Sequence, residues 1–158
     1  MTTESRQALL EETRAQAHGR CTACGHVDGH LPRLRFAVAD DGSVHAHFLP
    51  DEACEGYAGI LHGGVIAMLL DAAMTNCLFA QGRHGLTAEV CVRFRHPVAS
   101  DSPLRLRAYV RRASPPLFVL HAELHQAGQV RATAIGKFMD KGHWVAAPLA
   151  EATRTRSE

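Results

Sequence analysis

The chain has little that would tie it to an oxidised extracellular scaffold, a membrane or nucleic acid. Among 158 residues there are one tryptophan and two tyrosines, and 17 basic against 16 acidic side chains leave a formal net charge of +1. A balance this near zero gives no electrostatic reason to expect nucleic acid as the main partner. Five cysteines, an odd number at irregular spacing, do not make a disulfide framework. Three of them, Cys54, Cys77 and Cys91, sit singly among apolar neighbours and read as buried thiols. No charged segment followed by an apolar run opens the sequence, and the longest apolar stretch is interrupted by Asp71, well short of a membrane span. The expectation is a soluble, cytoplasmic protein that contacts no membrane. Repeats and internal linkers are also missing, so the chain reads as one domain, and 46% hydrophobic residues suffice for its core.

Against this plain background one stretch stands out: His62-Gly63-Gly64 running into Val65-Ile66-Ala67-Met68-Leu69-Leu70-Asp71-Ala72-Ala73-Met74. It joins a diglycine at the mouth of an apolar helix to one carboxylate in the middle of that helix. A helix N-terminus offers free backbone N–H groups and a partial positive charge, which suits a carbonyl oxygen about to become an oxyanion. Glycine lets that oxygen approach closely. Asp71, seven residues beyond Gly64, has turned through almost two helical turns, on the same face as the mouth and roughly 10 Å along the axis. That gap is too wide for both groups of one chain to reach the same reacting carbonyl. A second copy of the helix running antiparallel would bring its Asp71 beside this Gly63, so the pattern predicts a site shared between two chains.

Around this helix the hydrophobic periodicity predicts a short leading helix from Glu4 to about Ala17 and two strands, Leu34 to Val38 and Val44 to Phe48, joined at Asp40-Asp41-Gly42-Ser43. Leu49 to Leu61 reads as an ordered connection. The central helix runs to about Ala80 and is apolar nearly all round, with Asp71, Thr75 and Asn76 as the exceptions, so it should be buried on several sides. Four runs with period-2 alternation follow: Leu86 to His96, Leu104 to Arg112, Leu117 to Gln126 and Val130 to Met139. One long helix with about six antiparallel strands is an α+β layout in which a sheet curls around a central helix. The domain so defined spans residues 33–142, preceded by a helix and Cys/His-containing loop at 1–32 and followed by a tail at 143–158.

Two segments carry a family resemblance. Gly56-Tyr57-Ala58-Gly59-Ile60-Leu61-His62-Gly63-Gly64 is followed by Asp71 nine positions after the histidine, and Thr87-Ala88-Glu89-Val90-Cys91-Val92-Arg93-Phe94-Arg95-His96-Pro97-Val98 comes after the helix. In order and separation these resemble the hotdog-fold acyl-CoA thioesterases of the PaaI-like and THEM type, over roughly Cys21 to Met139. Cys21-Thr22-Ala23-Cys24-Gly25 also looks like the opening of one branch of these proteins, although that branch continues with Asn-Pro and Gly-Leu where this chain has Asp28-Gly29 and Leu31-Pro32. Some relatives place an asparagine where this chain has Gly56. The resemblance implies a hotdog fold and hydrolysis of an acyl thioester, carried by coenzyme A or a carrier protein, in a homodimer or dimer of dimers. It implies that Asp71 attacks the thioester or activates water, that Gly63 donates its N–H to the oxyanion, and that Thr87 holds the carboxylate or the water.

Each residue also has a plainer reading. Asp71 could be a structural aspartate bonded to Thr75, yet a carboxylate in an apolar helix must be paired, hydrogen-bonded or functional. His62 reads as an orienter of the loop more than as an acid or base, and Gly64 as part of the substrate-facing turn. Glu89, two residues after Thr87, would share its strand face and contact substrate, or else pair with a cation. Arg93 and Arg95 are candidates for the nucleotide phosphates, since arginine suits phosphate geometry. Cys21, Cys24, His26 and His30, with His18 nearby, have the residue types of a zinc site, but the irregular second half favours a reduced surface loop and no metal. No cofactor is expected beyond coenzyme A as part of the substrate. A hotdog hydratase or dehydratase is the enzymatic alternative, disfavoured because Gly-Gly follows the histidine where those enzymes carry a Phe-Pro-Gly type segment. A non-catalytic acyl-CoA-binding module is the other.

Overall fold

The computed structural model describes residues 1–25 and 34–140. Helix α1 (Thr3–Ala17) leads to the short strand β1 (Ala37–Val38) and to β2 (Val44–Phe48). A 3-10 turn at Glu52–Cys54 and two small strands, β3 (Glu55–Tyr57) and β4 (Ile60–Leu61), precede the long helix α2 (Gly63–Phe79). Four long strands complete the chain: β5 (Gly85–Phe94), β6 (Leu104–Ser114), β7 (Leu117–Gln126) and β8 (Gln129–Asp140). The main sheet is antiparallel with six strands in the order β1-β2-β6-β7-β8-β5, and β3 and β4 pair separately. This is the α+β arrangement expected. No helix among the described residues is long and apolar enough to cross a membrane.

The sheet exists because its strands alternate. Leu104, Leu106 and Ala108 of β6 and Leu120, Ala122 and Leu124 of β7 are buried, and they face Leu69, Leu70, Ala73, Met74, Cys77 and Leu78 on α2. A helix apolar on nearly every side must be covered on several, and α1 covers part of what the sheet leaves, with Leu10 fully buried. Two glycines set how closely helix and sheet approach. A Cβ at Gly136 would lie 2.6 Å from the Phe138 ring and 2.9 Å from Met74 Sδ, and one at Gly85 would lie 2.5 Å from Leu78 Cδ1. Glycine in a strand interior here marks close approach of the helix, not a turn.

Several sequence expectations change in detail. The first strand shrinks to Ala37–Val38 because a side chain serves the backbone in front of it: Gln7 of α1 accepts from Val38 N–H at 2.8 Å and donates to the Phe36 carbonyl at 3.2 Å. The expected turn is present, with Gly42 at φ +79° and the Asp41 carboxylate accepting from Ser43 and from Arg107. The Ser43 hydrogen bonds, then Arg107, hold the Asp41 carboxyl well below the usual range. The connection before α2 contains the β3–β4 hairpin, which its glycines concealed. Cys54 and Cys77 are buried as expected, whereas Cys91 is exposed because it alternates with the core-facing Val90 and Val92 on the outer face of β5, an edge strand of the sheet. The expected boundary after residue 142 and the tail lie outside the described residues.

The Gly136 contact yields a direct expectation. Gly136→Val should lower the thermal midpoint through overpacking worth about 1–3 kcal/mol, read by thermal denaturation against Gly19→Ala, whose Cβ would make only an ordinary contact with the Ala15 carbonyl oxygen at 3.6 Å.

Candidate active site

The mouth of α2 is fixed by backbone bonds from both sides. Leu61 N–H donates to the Val98 carbonyl at 2.9 Å and His62 N–H to the Cys54 carbonyl at 2.8 Å. His62 is the N-cap residue, and its Nδ1 accepts from Gly64 N–H at 2.8 Å. This bond caps the helix and occupies the Gly64 donor. Among the described residues no acceptor faces the Gly63 N–H. Gly63 therefore offers a free donor at the positive end of the helix, while Gly64 contributes the turn.

That donor opens into an apolar groove of about 310 Å³ lined by Ile60, Leu61, Gly63, Ile66, Phe94, Arg95, His96, Pro97 and Val98. A Cβ at Gly63 would touch the Phe94 ring at 3.5 Å, and one at Gly56 would press on the His62 ring at 3.1 Å. Gly56 thus leaves room for the cap histidine, a support that its place in the sequence did not suggest. Phe94 is 54% exposed, unusual for a large apolar side chain beside a groove.

Two turns further along α2, the Asp71 carboxylate accepts a hydrogen bond from Thr87 Oγ1 at 2.9 Å. The partner is Thr87 on β5, not Thr75, which is buried in the core. Burial pushes the Asp71 carboxyl above its ordinary value of 3.8, against the opposing effect of the Thr87 bond; the neighbouring Cys21 raises it further and His18 lowers it. A carboxylate that is desolvated, held by one hydroxyl and in no salt bridge among the described residues has the character of a base or nucleophile more than of an ion-pair partner.

A bulge decides which side chain of β5 meets Asp71. Pairing with β8 runs Thr87↔Phe138 and then Glu89↔Lys137, with the register shifting between Thr87 and Glu89. The expectation that Glu89 shares the Thr87 face is therefore overturned. Thr87 lies opposite the buried Phe138 and faces the helix, whereas Glu89 faces outward and pairs with Lys137 at 2.9 Å. Extra strand residues of this kind re-aim side chains near functional sites. Arg93, opposite Thr133, lies on the same outer face as Glu89. Of the residues expected to touch substrate, the fold brings Arg95 to the Gly63 groove and leaves Glu89 and Arg93 away from it within one chain.

The loop after α1 also differs from the surface loop expected. Cys24 is buried, and Cys21, Cys24 and His18 come together. A hydrogen bond with Cys24, followed by one with His18, draws the Cys21 thiol down, while that same Cys21 bond and burial push Cys24 up. His26 and His30 lie outside the described residues.

The thioesterase superfamily profile matches residues 58–133, from the loop before the helix mouth into β8. Solved structures agree. A thioesterase superfamily protein shares 26% identity with a TM-score of 0.71, over 75% of this chain and 62% of its own length, so the chain spans less than two thirds of that relative. The PaaI protein of the E. coli phenylacetic acid degradation operon shares 16% identity with a TM-score of 0.73, over 90% of this chain and 97% of its own. A hypothetical thioesterase of Streptococcus pneumoniae TIGR4, solved with coenzyme A, shares 17% identity with a TM-score of 0.65, over 70% and 90%. Two variants of that streptococcal protein replace an aspartate and a threonine by alanine, and these stand 16 positions apart, the separation of Asp71 and Thr87 here. No curated protein matches the chain. The chain is thus similar in fold to the hotdog thioesterases and, over residues 58–133, matches the thioesterase superfamily profile.

Two outcomes follow from this geometry. Because the folded-state pKa of Asp71 is raised, its ionised form destabilises the fold above that pKa, and the penalty vanishes below the unfolded value of 3.8. Asp71→Asn should therefore melt at or above the wild-type temperature at neutral pH, with the difference closing as the buffer is made acidic; a lower melting temperature at neutral pH would mark Asp71 as a structural ion. Loss of the cap in His62→Ala should cost about 1 kcal/mol of stability, measured by denaturant unfolding.

Proposed function

We propose that this protein is an acyl-CoA thioesterase, hydrolysing an acyl thioester to free acid and thiol as a homodimer or dimer of dimers. The observation that carries this reading is the hydrogen bond from Thr87 to the desolvated Asp71, on a helix whose mouth leaves the Gly63 N–H free. The coenzyme A bound to the streptococcal relative supports the same substrate class, as does the spacing of the aspartate and threonine replaced there.

Mouth and carboxylate of one α2 are separated by roughly 10 Å, so the reaction uses the Gly63 of one protomer with the partner's Asp71. The thioester carbonyl oxygen accepts from Gly63 N–H, which binds it more strongly as negative charge develops. Asp71, steadied by Thr87, takes a proton from water, and the resulting hydroxide adds to the carbonyl carbon. Collapse of the tetrahedral adduct breaks the C–S bond and releases the thiolate, which a proton from Asp71 or solvent neutralises. Direct attack by the carboxylate, giving a transient anhydride that water opens, uses the same geometry. The acyl chain lies along the apolar groove beside Phe94, and Arg95 at its rim is placed for the nucleotide phosphates; Arg93 and Glu89, on the outer face of β5, would reach a nucleotide only where it crosses onto that face.

The exposed surface supports self-association. Strand β5 is an edge strand of ten residues with Leu86 and Phe94 exposed, and the first turns of α2 are only partly covered. A long apolar edge is an invitation to pair.

Purified protein should release free thiol from at least one member of a panel of short, aromatic and long acyl-CoAs, read with a thiol-reactive dye; silence across the panel would remove the thioesterase reading. Asp71→Asn should lower kcat by about 100-fold or more, and full activity in that variant would displace the site. Thr87→Val removes a bond that favours the charged carboxylate, so the acid limb of its pH–rate profile should move to higher pH.

A further inference from the structure

The cluster behind Asp71 is not used by this chemistry. His18 follows the last turn of α1, and Cys21 and Cys24 lie on the turn after it. One ligand atom from each falls within 4.8 Å of the others, and His18 Nδ1 stands 3.8 Å from Cys24 Sγ. A tetrahedral zinc ion with ordinary bond lengths requires sulfur–nitrogen edges of about 3.6 Å and sulfur–sulfur edges of about 3.8 Å. The three atoms therefore need to close by only a small amount to share one ion.

The surroundings suit a ligated thiolate. The His18 ring packs edge-on against Phe79 at 4.9 Å between centroids, which fixes its plane. Asn76, fully buried in the largely apolar α2, donates its amide to Cys24 Sγ at 3.6 Å and to the Ala72 carbonyl at 2.8 Å. A buried asparagine aimed at a cysteine sulfur is hard to explain as packing. It is the outer hydrogen bond by which metal-bound thiolates are commonly oriented.

We propose that His18, Cys21 and Cys24 form a three-ligand site for a soft divalent cation of the zinc class, its fourth position filled by solvent. Binding displaces the two thiol protons and leaves zinc joined to two sulfurs and one imidazole nitrogen, with no change in oxidation state. The ion ties the end of α1 to the turn that follows it, and Asn76 and Phe79 of α2 hold that turn and the His18 ring. The proposal does not depend on the thioesterase reading.

The test uses the full chain, reduced, stripped with a chelator and titrated anaerobically with cobalt(II) alone. A thiolate-to-cobalt charge-transfer band with the intense visible bands of tetrahedral cobalt should saturate at one ion per chain and disappear on adding zinc. Cys21→Ser should abolish the charge-transfer signature or weaken binding at least tenfold, as should His18→Ala, whereas Cys91→Ser, at an exposed thiol away from the cluster, should leave it unchanged. X-ray absorption of the wild-type zinc form guards against variants that fail to fold, and should give two sulfur neighbours and one imidazole. A sulfur-free shell, undiminished binding in His18→Ala, or a Cys21–Cys24 disulfide forming in place of metal uptake would each overturn it.

Discussion

A helix that is apolar on almost every side has to be wrapped, and the burial of α2 governs the rest of this structure. Six strands curve over one flank and α1 covers part of another, yet the first turns near Gly63 stay partly open and Asp71 is only half-buried. The uncovered portion holds the free N–H and extends to Asp71, whereas the other polar exceptions, Thr75 and Asn76, lie in the buried part. Core formation and chemistry are thus divided along one helix: the C-terminal half is sealed, and the N-terminal half faces outward with the groove and the carboxylate.

That division explains what could be read from the sequence. Period-2 alternation located β6, β7 and β8 because each has one dry face set by α2, with β5 alternating more weakly at the edge, and the Asp41-Gly42 step located the hairpin because its geometry is local. Asp71 and Thr87 were legible through spacing and chemistry. Other features depended on contacts no window of sequence contains. β1 is short because Gln7, on a different element, occupies its backbone. Glu89 turned outward because one extra residue shifts the register of β5, and nothing in Thr87-Ala88-Glu89 announces a bulge. The exposure of Cys91 and the burial of Cys24 likewise reflect strand order and the docking of a loop, not the polarity of their neighbours.

The electrostatics of the site rest on scarcity. Asp71 is desolvated and hydrogen-bonded to one hydroxyl, with Cys21 opposing its charge and His18 favouring it, so that charge is tolerated more than welcomed. The outer face of the sheet disposes of its charges differently, with Glu89 on Lys137 and Asp41 on Arg107. Such exposed pairs contribute little to stability, but they keep cations occupied on the far side of the sheet, where they do not neutralise the carboxylate. The bulge beyond Thr87 is what holds these two environments apart on one strand.

Gln7 has a further consequence. The sheet has two edges, β1 and β5, and the Gln7 amide occupies backbone groups that β1 would otherwise present to a neighbour, standing in for a seventh strand. This gives the sheet a valency of one. Any edge-to-edge pairing must use β5, and copies that join through that edge meet the same surface in each other, so growth terminates at a pair instead of propagating into a filament.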